Sequence, residues 1–326
     1  MAEFEAIEQS PGFKDRKTRL VVFGVLQIIL GSICALFIPL MIFGAIASRI
    51  KSPHNSSFRT MIPVFLIYSL AAIWFIFMGI GSIKAKRWAR ALILISSWFW
   101  LICGTLGFVF MMRIIPNMFN KTGENSQQVP AAVETAVICV MIAFMAGFYI
   151  IIPGLLVLFY SGRNVKATVE YRDPQIRWTD KCPLPVLAIS FISAVWAISM
   201  FWMAIYNWAI PFFGILLSGI PGAIITVIFI LLLAYTVYGT YKLDMKAWWC
   251  ALLVFTCWFL SAIITFSQVD MLTYYQKMGY SQQQIESMKQ YVTMFGSNMS
   301  LFMGFWAIVV IAYLVYIRRY FTSASH

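Results

Sequence analysis

Long apolar segments alternate with short polar segments along almost the whole chain. A helix that crosses the roughly 30 Å hydrocarbon core of a bilayer needs about 20 mostly apolar residues. Eight segments meet this requirement, so the predicted fold class is all-α, a polytopic helical membrane protein. The eight predicted spans are Leu20–Ala47, Met61–Ile83, Ala91–Ile115, Ala132–Tyr160, Val186–Tyr206, Pro221–Tyr241, Ala247–Gln268 and Asn298–Ile317.

The composition agrees with this pattern. Of 326 residues, 61% are hydrophobic and 11% charged, whereas about a quarter of the residues in a soluble domain are charged. The apolar runs are continuous rather than alternating, which argues against a membrane β-barrel. The first span is too long for a removable signal peptide and lacks a small-residue cleavage site, so we expect it to remain as an anchor.

The basic residues indicate how the spans are oriented, because Lys and Arg are enriched in cytoplasmic loops. If the N-terminus is cytoplasmic, 17 of the 24 basic residues lie on the inner side. We therefore expect both termini in the cytoplasm. The net charge of +12 lies in short turns beside the membrane and not on a soluble face, so no nucleic-acid partner is predicted. The seven basic residues left outside are Arg49, Lys51, Arg59, Arg113, Lys121, Lys277 and Lys289.

The two halves of the chain share sequence at a spacing of 160 positions. Residues Gly79–Phe99 and Gly239–Phe259 are identical at seven of 21 positions. Membrane composition alone also produces such matches, but we favour a duplication, because two of the shared residues are tryptophans. An even number of spans in each copy makes the repeat parallel. The identical pairs are Gly79/Gly239, Lys86/Lys246, Trp88/Trp248, Ala91/Ala251, Leu92/Leu252, Trp98/Trp258 and Phe99/Phe259.

The duplication divides the chain into two parallel four-helix repeats. The predicted parts are a cytoplasmic N-terminal tail (1–19), the first repeat (20–160), a cytoplasmic linker (161–185), the second repeat (186–317) and a cytoplasmic C-terminal tail (318–326). The apolar segment Tyr206–Ile220 is an exception, because it corresponds to an outer loop. It is either a re-entrant or interfacial segment or a long, kinked extension of the sixth span, and we favour the extension.

The long outer loop Val269–Ser297 carries the pattern of a short amphipathic helix. Ser281 followed by Gln284 resembles a capping box. The apolar residues Ile285, Met288, Val292 and Phe295 then recur at spacings of three and four. We expect this helix to rest on the outer interface or to cover the bundle.

The sequence offers no recognisable catalytic, metal-binding or cofactor-binding pattern. An ionisable residue in the middle of a span is a functional hypothesis by default, but the nearest ones lie at span ends: Arg113, Glu134 and Asp270. His54 and His326 have no spaced partner. Five of the six cysteines fall within spans. Cys182 lies near the inner end of the linker, where acylation of its thiol is the alternative to packing as a small apolar side chain.

The leading hypothesis is a non-enzymatic membrane protein with an accessory, sensing or assembly role, together with a membrane-protein partner or as a homo-oligomer. Small residues at four-residue spacing, Ala143 with Gly147 and Ser218 with Gly222, are typical of helix contacts. The alternative is a transporter or permease for a neutral, amphipathic or lipidic solute, acting between the repeats. The third hypothesis is an enzyme that uses dispersed acids: Glu134, Asp270, Glu170, Asp173 and Asp180.

The basic inner turns are candidate contacts for anionic lipid headgroups, at about 1 kcal/mol for each nearby Lys or Arg. The localisation we expect is the plasma membrane, or the inner membrane of a bacterium. The predicted lipid-contacting residues are Lys84, Lys86, Arg87, Arg90, Lys242 and Lys246.

Overall fold

The computed structural model describes residues 13–51, 58–122, 131–296 and 298–322. These ranges form mainly helices. They are α1 Lys17–Lys51, α2 Phe58–Ile83, α3 Arg87–Thr122, α4 Ala131–Ala146, α5 Ile152–Ser161, α6 Arg163–Arg172, α7 Leu184–Met200, α8 Gly219–Tyr241, α9 Met245–Gln268, α10 Met271–Lys277, α11 Gln282–Gly296 and α12 Met299–Thr322.

Within the described ranges, eight helical segments are long and apolar enough to cross a membrane. This confirms an integral, multi-pass, helical membrane protein. The segments agree with the predicted spans to within a few residues at each end. They are Lys17–Gly44, Ile62–Ile83, Arg87–Met112, Thr135–Ser161, Leu184–Ala204, Gly219–Tyr241, Met245–Gln268 and Met299–Thr322.

The fourth span contains a wide helical turn, Gly147–Ile151, between α4 and α5. Such a turn accommodates one extra residue in a helix. Pro153 follows it and has no N–H to donate to a carbonyl one turn earlier. Gly104 of α3 packs against the same turn, because a Cβ on Gly104 would lie 2.5 Å from the Tyr149 carbonyl oxygen. The helices can approach this closely only because position 104 has no side chain.

The chain forms two compact units. The first unit comprises the described parts of Met1–Lys51, Val64–Phe108 and Thr135–Lys181. The second comprises the described parts of Ser52–Pro63, Val109–Glu134 and Cys182–His326. The segment predicted as a linker therefore belongs, as far as Lys181, to the first unit.

Backbone contact between α1 and α2 organises the first unit. A Cβ on Gly24 would lie 2.7 Å from the Gly79 carbonyl oxygen, and a Cβ on Gly79 would lie 2.6 Å from the Gly24 carbonyl oxygen. Toward the C-terminal end of α2, the Ser82 hydroxyl donates to the Leu20 carbonyl at 2.9 Å and lies 2.6 Å from the Tyr160 hydroxyl. This one serine connects α1, α2 and α5.

In the second unit, polar side chains join α7 to α8 and α9 to α12. The Ser190 hydroxyl donates to the Val237 carbonyl at 2.8 Å. The Trp248 indole N–H donates to the Leu314 carbonyl, also at 2.8 Å, and Trp248 is almost fully buried. Each bond satisfies a polar group inside the unit, where an unpaired group is costly.

The prediction of a helical extension at Tyr206–Ile220 is wrong. After a short helical turn, Phe201–Ala204, the chain forms an antiparallel hairpin of β1 Ile210–Phe212 and β2 Ile215–Leu217. The favoured interpretation failed because apolar composition does not separate a strand from a buried helix of the same length. α8 begins only after the hairpin, at Gly219.

Side chains of α9 bond the hairpin backbone. The Ser261 hydroxyl accepts from the Phe213 N–H at 2.9 Å and donates to the Pro211 carbonyl at 3.0 Å. The Thr265 hydroxyl accepts from the Gly214 N–H at 3.0 Å. Gly214 has φ +94°, which a residue without a side chain adopts readily. These bonds replace part of the pairing that a helix supplies internally.

The short amphipathic helix predicted in the outer loop is confirmed as α11. The Ser281 N–H donates to the Gln284 side-chain oxygen at 3.0 Å, and the Gln284 N–H donates to the Ser281 hydroxyl at 3.3 Å. These reciprocal bonds form the expected capping box. Ile285 and Val292 are buried on its apolar face.

The turns between α2 and α3 and between α8 and α9 have the same backbone geometry. In each turn one non-glycine residue has positive φ, 48° at Ala85 and 60° at Leu243, and the next residue donates its N–H to a glycine carbonyl at 2.9 Å. The turns correspond at a spacing of 158, two fewer than the sequence identities indicate. Corresponding pairs are Gly81/Gly239, Ser82/Thr240, Ala85/Leu243, Lys86/Asp244 and Ala89/Ala247.

The α1–α2 contact predicts that Gly24→Ala lowers the melting temperature of the purified protein. The added methyl overlaps the Gly79 carbonyl, and overpacking of this kind costs about 1–3 kcal/mol. The matched control is Gly154→Ala, because a Cβ on Gly154 meets nothing within 4 Å. Equal melting temperatures for the two variants would contradict the proposed contact.

Candidate functional site

The first group of predicted lipid contacts lies at the start of α3, where a segment of the first unit folds back on it. Lys84 is exposed, whereas Lys86, Arg87 and Arg90 are only partly exposed. Their environment comes from α6 and the turn Trp178–Asp180. The structure therefore brings the four basic residues together, but three of them are ion-paired or partly buried.

Asp173 is the centre of this arrangement and is only 3% exposed. Its carboxylate accepts from the Arg177 guanidinium at 2.8 and 3.2 Å and from the Arg87 backbone N–H at 3.3 Å, and it lies 3.5 Å from the Lys86 ammonium. The Arg87 side chain donates to the Asp173 carbonyl at 2.6 Å and lies 3.7 Å from Asp180. We call Asp173, Arg177, Lys86, Arg87 and Asp180 the ion-pair cluster.

The hydrogen bond from Arg177 holds the pKa of Asp173 below its ordinary value of 3.8, and the Arg87 N–H and the Lys86 charge act in the same direction. Burial opposes this shift. The carboxylate is thus stabilised in its charged form inside the ion-pair cluster. Because both carboxylate oxygens already bond Arg177 and Arg87, we assign Asp173 a structural role, which is to hold α6 against α3.

The second group of predicted lipid contacts has a different environment. Lys242 and Lys246 are exposed, and no carboxylate lies within ion-pair distance of them among the described side chains. The Lys242 ammonium lies 4.4 Å from the Tyr238 ring centre, and Arg318 lies 5.4 Å from the Trp248 ring. Asp244 lies between the two lysines, but its carboxylate accepts from the Lys246 backbone N–H at 2.9 Å, so neither lysine ammonium is ion-paired.

The described part of the first unit also contains a mostly apolar pocket of about 190 Å³, partly open, between α1, α2, α3 and α5. We call it the Gln27 cavity. Its wall combines three neutral polar side chains with aromatic and aliphatic ones. It is lined by Gln27, Trp74, Phe75, Met78, Ile93, Ser96, Ser97, Trp100 and Leu156.

Gln27 is the unusual residue in this cavity. It is 2% exposed, and its side-chain oxygen is buried without a hydrogen-bond partner. The side chain lies near the Tyr160 hydroxyl, which bonds to Ser82. A buried acceptor without a donor costs about 1–3 kcal/mol. The cavity thus presents an unsatisfied acceptor to whatever occupies it.

The other groups in the cavity define its shape and polarity. The Ser96 hydroxyl donates to the Ile93 carbonyl at 3.1 Å, which leaves its oxygen to accept. Ser97 is 2% exposed. The Phe75 and Trp100 rings meet edge to face at 5.8 Å and form part of the aromatic wall. No ionisable side chain lines the cavity.

Sequence reasoning missed Gln27 because the search covered ionisable residues in the spans and passed over neutral polar ones. The signal was present, since Gln27 is an amide within a long apolar run. The acids considered for an enzyme have other contacts: Asp173 and Asp180 belong to the ion-pair cluster, and Asp270 caps α10 by accepting from the Leu272 N–H at 3.3 Å. The side chains of Arg113 and Glu134 lie outside the described residues, as do His54 and His326.

Cys182, which we considered as an acylation site, is only 5% exposed. Burial raises the pKa of its thiol to about 11. The thiolate is the reactive form of cysteine. In this structure the residue packs as a small apolar side chain.

The ion-pair cluster predicts a pH-dependent effect of Asp173→Asn. The folded protein holds the pKa of Asp173 below 3.8, so its stabilisation is complete above 3.8 and is lost as pH falls from there through the lower pKa of the folded state. We expect Asp173→Asn to lower the melting temperature at pH 6 and to differ less from wild type at pH 3.

The control for this experiment is Glu286→Gln, since Glu286 forms an exposed pair with Lys289 on α11 and exposed pairs contribute little. Circular dichroism at both pH values measures the melting temperatures. An undiminished difference between wild type and Asp173→Asn at pH 3 would show that the carboxylate charge is not what stabilises the segment.

The first unit therefore holds two features built from its own side chains, a charged cluster at one end of α3 and a neutral cavity beside Gln27. The cluster pairs two carboxylates with three basic residues, whereas in the cavity the Gln27 oxygen has no partner. No protein-family model, curated protein or solved structure matches this chain.

Proposed function

We propose that this chain is a non-enzymatic integral membrane protein with a sensing or accessory role, and that the Gln27 cavity binds a small uncharged molecule. The unpartnered Gln27 oxygen, buried in a cavity of about 190 Å³, carries this proposal. A site with an unsatisfied polar group and apolar walls has the composition of a small-molecule pocket.

The chemistry of the lining supports an uncharged ligand. The lining residues carry one amide, two hydroxyls and the two indole N–H groups of Trp74 and Trp100, and none of these groups is charged. A charged ligand would lose its hydration without gaining an opposite charge, which is costly in an apolar environment. The buried carboxylate Asp173 is held by basic groups of its own unit, which favours a structural role over acid–base chemistry.

We also propose that the four-helix segments 20–160 and 186–317 arose by duplication and that both termini are cytoplasmic. The turn geometry shared at a spacing of 158 supports the duplication. The excess of basic residues on one side supports the orientation. A parallel arrangement of the two copies follows if each has four spans.

A ligand screen against wild type and Ser97→Phe tests the sensing proposal. The larger ring in the variant occupies the cavity, so we expect some small uncharged aromatic compounds or alcohols to raise the melting temperature of wild type alone. A ligand at ten times its Kd stabilises a protein by about 1.4 kcal/mol. If Ser97→Phe folds poorly, Ser97→Leu serves instead, and it should reduce the ligand-induced rise in melting temperature by a smaller amount.

The matched control is Ile102→Phe, which adds a ring on the same helix at a position 37% exposed. It should respond to ligands as wild type does. The sensing proposal fails if no compound distinguishes wild type from Ser97→Phe.

We propose further that anionic headgroups bind at the second basic turn, through Lys242 and Lys246, with Lys84 as the exposed contact of the first turn. Both ammonium groups are exposed and neither is ion-paired, although Asp244 lies between them, and this supports the assignment. Lys86 and Arg87, which share their charge with Asp173 and Asp180, should contribute less.

Native mass spectrometry with added phosphatidylglycerol tests the lipid proposal. Lys242→Gln with Lys246→Gln should weaken lipid binding by about tenfold or more, since each nearby basic residue contributes about 1 kcal/mol. Lys277→Gln with Lys289→Gln, which removes the same charge from α10 and α11, is the control. If both double variants weakened lipid binding equally, the effect would come from net charge and the proposed site would be wrong.

A further inference from the structure

We infer that the ligand of the Gln27 cavity is a flat, apolar molecule that carries one N–H or O–H donor, and that Ser97 is the residue that keeps this site open. The inference rests on the sensing role proposed above and specifies its ligand. It is carried by the acceptor groups, by the wall and volume of the cavity, and by the residue that replaces Ser97 in the second unit.

The polar groups of the cavity select a donor. The Gln27 oxygen has no partner, and the Ser96 hydroxyl has already given its hydrogen to the Ile93 carbonyl. Both oxygens therefore accept. A ligand with an N–H or O–H satisfies the buried acceptor, whereas a ligand that only accepts leaves it unpaired.

The wall and the volume select a flat apolar body. Trp74, Phe75 and Trp100 contribute ring surfaces, and Met78 and Leu156 contribute aliphatic ones. A volume of about 190 Å³ is below the roughly 300–1,000 Å³ of drug-sized pockets, so one or two fused rings fit.

The second unit shows what closes such a site. The shared turn geometry aligns α3 with α9 at a spacing of 158, which pairs Trp100 with Trp258 and Ser97 with Phe255. Phe255 is 1% exposed and stacks on Trp196 with ring centres 5.2 Å apart. A ring therefore fills, in the second unit, the position that a serine leaves open in the first.

Gln27, which carries the unpaired acceptor, also has a counterpart in the second unit. Gly24 meets Gly79 in the first unit, and Ser190 bonds Val237, the residue 158 positions after Gly79, in the second. This match aligns Gln27 with Ser193, three residues further along each helix. The Ser193 hydroxyl is buried without a partner, but it is a smaller group beside a filled core. The longer amide and the open space occur together only in the first unit.

The test compares two probes of nearly the same shape, indole and benzothiophene, which carry N–H and sulfur at the same ring position. Thermal shifts at a series of concentrations give the affinities for wild type and for Gln27→Leu. We expect wild type to bind indole about tenfold more tightly than benzothiophene, in line with one buried hydrogen bond. Gln27→Leu should abolish this preference. Partition of the probes into detergent cancels, because the comparison is between the two proteins.

Two further measurements separate a ligand contact from a structural role. Without ligand, Gln27→Leu should melt at or above the wild-type temperature, because removing an unsatisfied buried group removes its cost. Ser97→Phe should bind neither probe. A large loss of stability in unliganded Gln27→Leu would assign Gln27 a structural role and overturn the inference.

The outcomes distinguish the ligand class from the sensing role. If other compounds in the screen stabilise wild type but not Ser97→Phe, while indole and benzothiophene bind equally or not at all, the donor ligand is wrong and the cavity still binds. If no compound distinguishes wild type from Ser97→Phe, the sensing role fails and the ligand class with it.

Discussion

Every backbone amide in a hydrocarbon layer needs a partner inside the protein, because no water is there to bond it. This constraint accounts for the eight long helices and for the places where the chain departs from them. At the hairpin β1–β2, Ser261 and Thr265 of α9 bond backbone groups that no helix satisfies. At Gly147–Ile151 the helix absorbs Pro153 in a wide turn instead of breaking. Departures from helix thus occur where neighbouring groups replace the missing bonds or the helix widens.

Charge is managed differently in the two units. The first unit folds α6 and the following turn back on its basic residues, so that Asp173 and Asp180 share the charge of Lys86 and Arg87. In the second unit Lys242 and Arg318 lie over aromatic rings, and Asp244 accepts from the Lys246 backbone N–H instead of forming an ion pair. Rings attract cations more weakly than carboxylates do and leave them able to bind an anion. The two turns share backbone geometry but not electrostatic character.

The sequence predicted those features that depend on nearby residues. Continuous apolar runs predicted the spans, and Ser281 with Gln284 predicted the capping box of α11. The hairpin was not predictable in this way, because its bonds come from Ser261 and Thr265, about 50 positions away. The repeat spacing of 160 followed residue identity, whereas the turn geometry corresponds at 158. Identical residues in two related helices therefore need not occupy corresponding backbone positions.

The candidate site was hidden from sequence for a related reason. Ser96 and Ser97 are small polar residues that membrane helices often contain, and Gln27, although it is an amide in an apolar run, is not marked in the sequence as an acceptor without a donor. Only the packing of α1 against α2 and α3 buries the Gln27 oxygen without a donor. The role of Ser97 is visible only by comparison with Phe255, whose ring fills the corresponding position in the second unit.

The Ser82 hydroxyl, bonded to the Leu20 carbonyl and lying against the Tyr160 hydroxyl, has a mechanical consequence. It fixes three helices to one another at a single level. Gln27 is seven residues from Leu20, or roughly 10 Å along the helix axis at 1.5 Å per residue. Beyond this level, the contacts of Gly24 with Gly79 and of Gly31 with Ala72 hold α1 against α2 on both sides of Gln27. The α1–α2 wall of the cavity is therefore fixed along its length, and a change in the width of the cavity requires α3 to move against that wall.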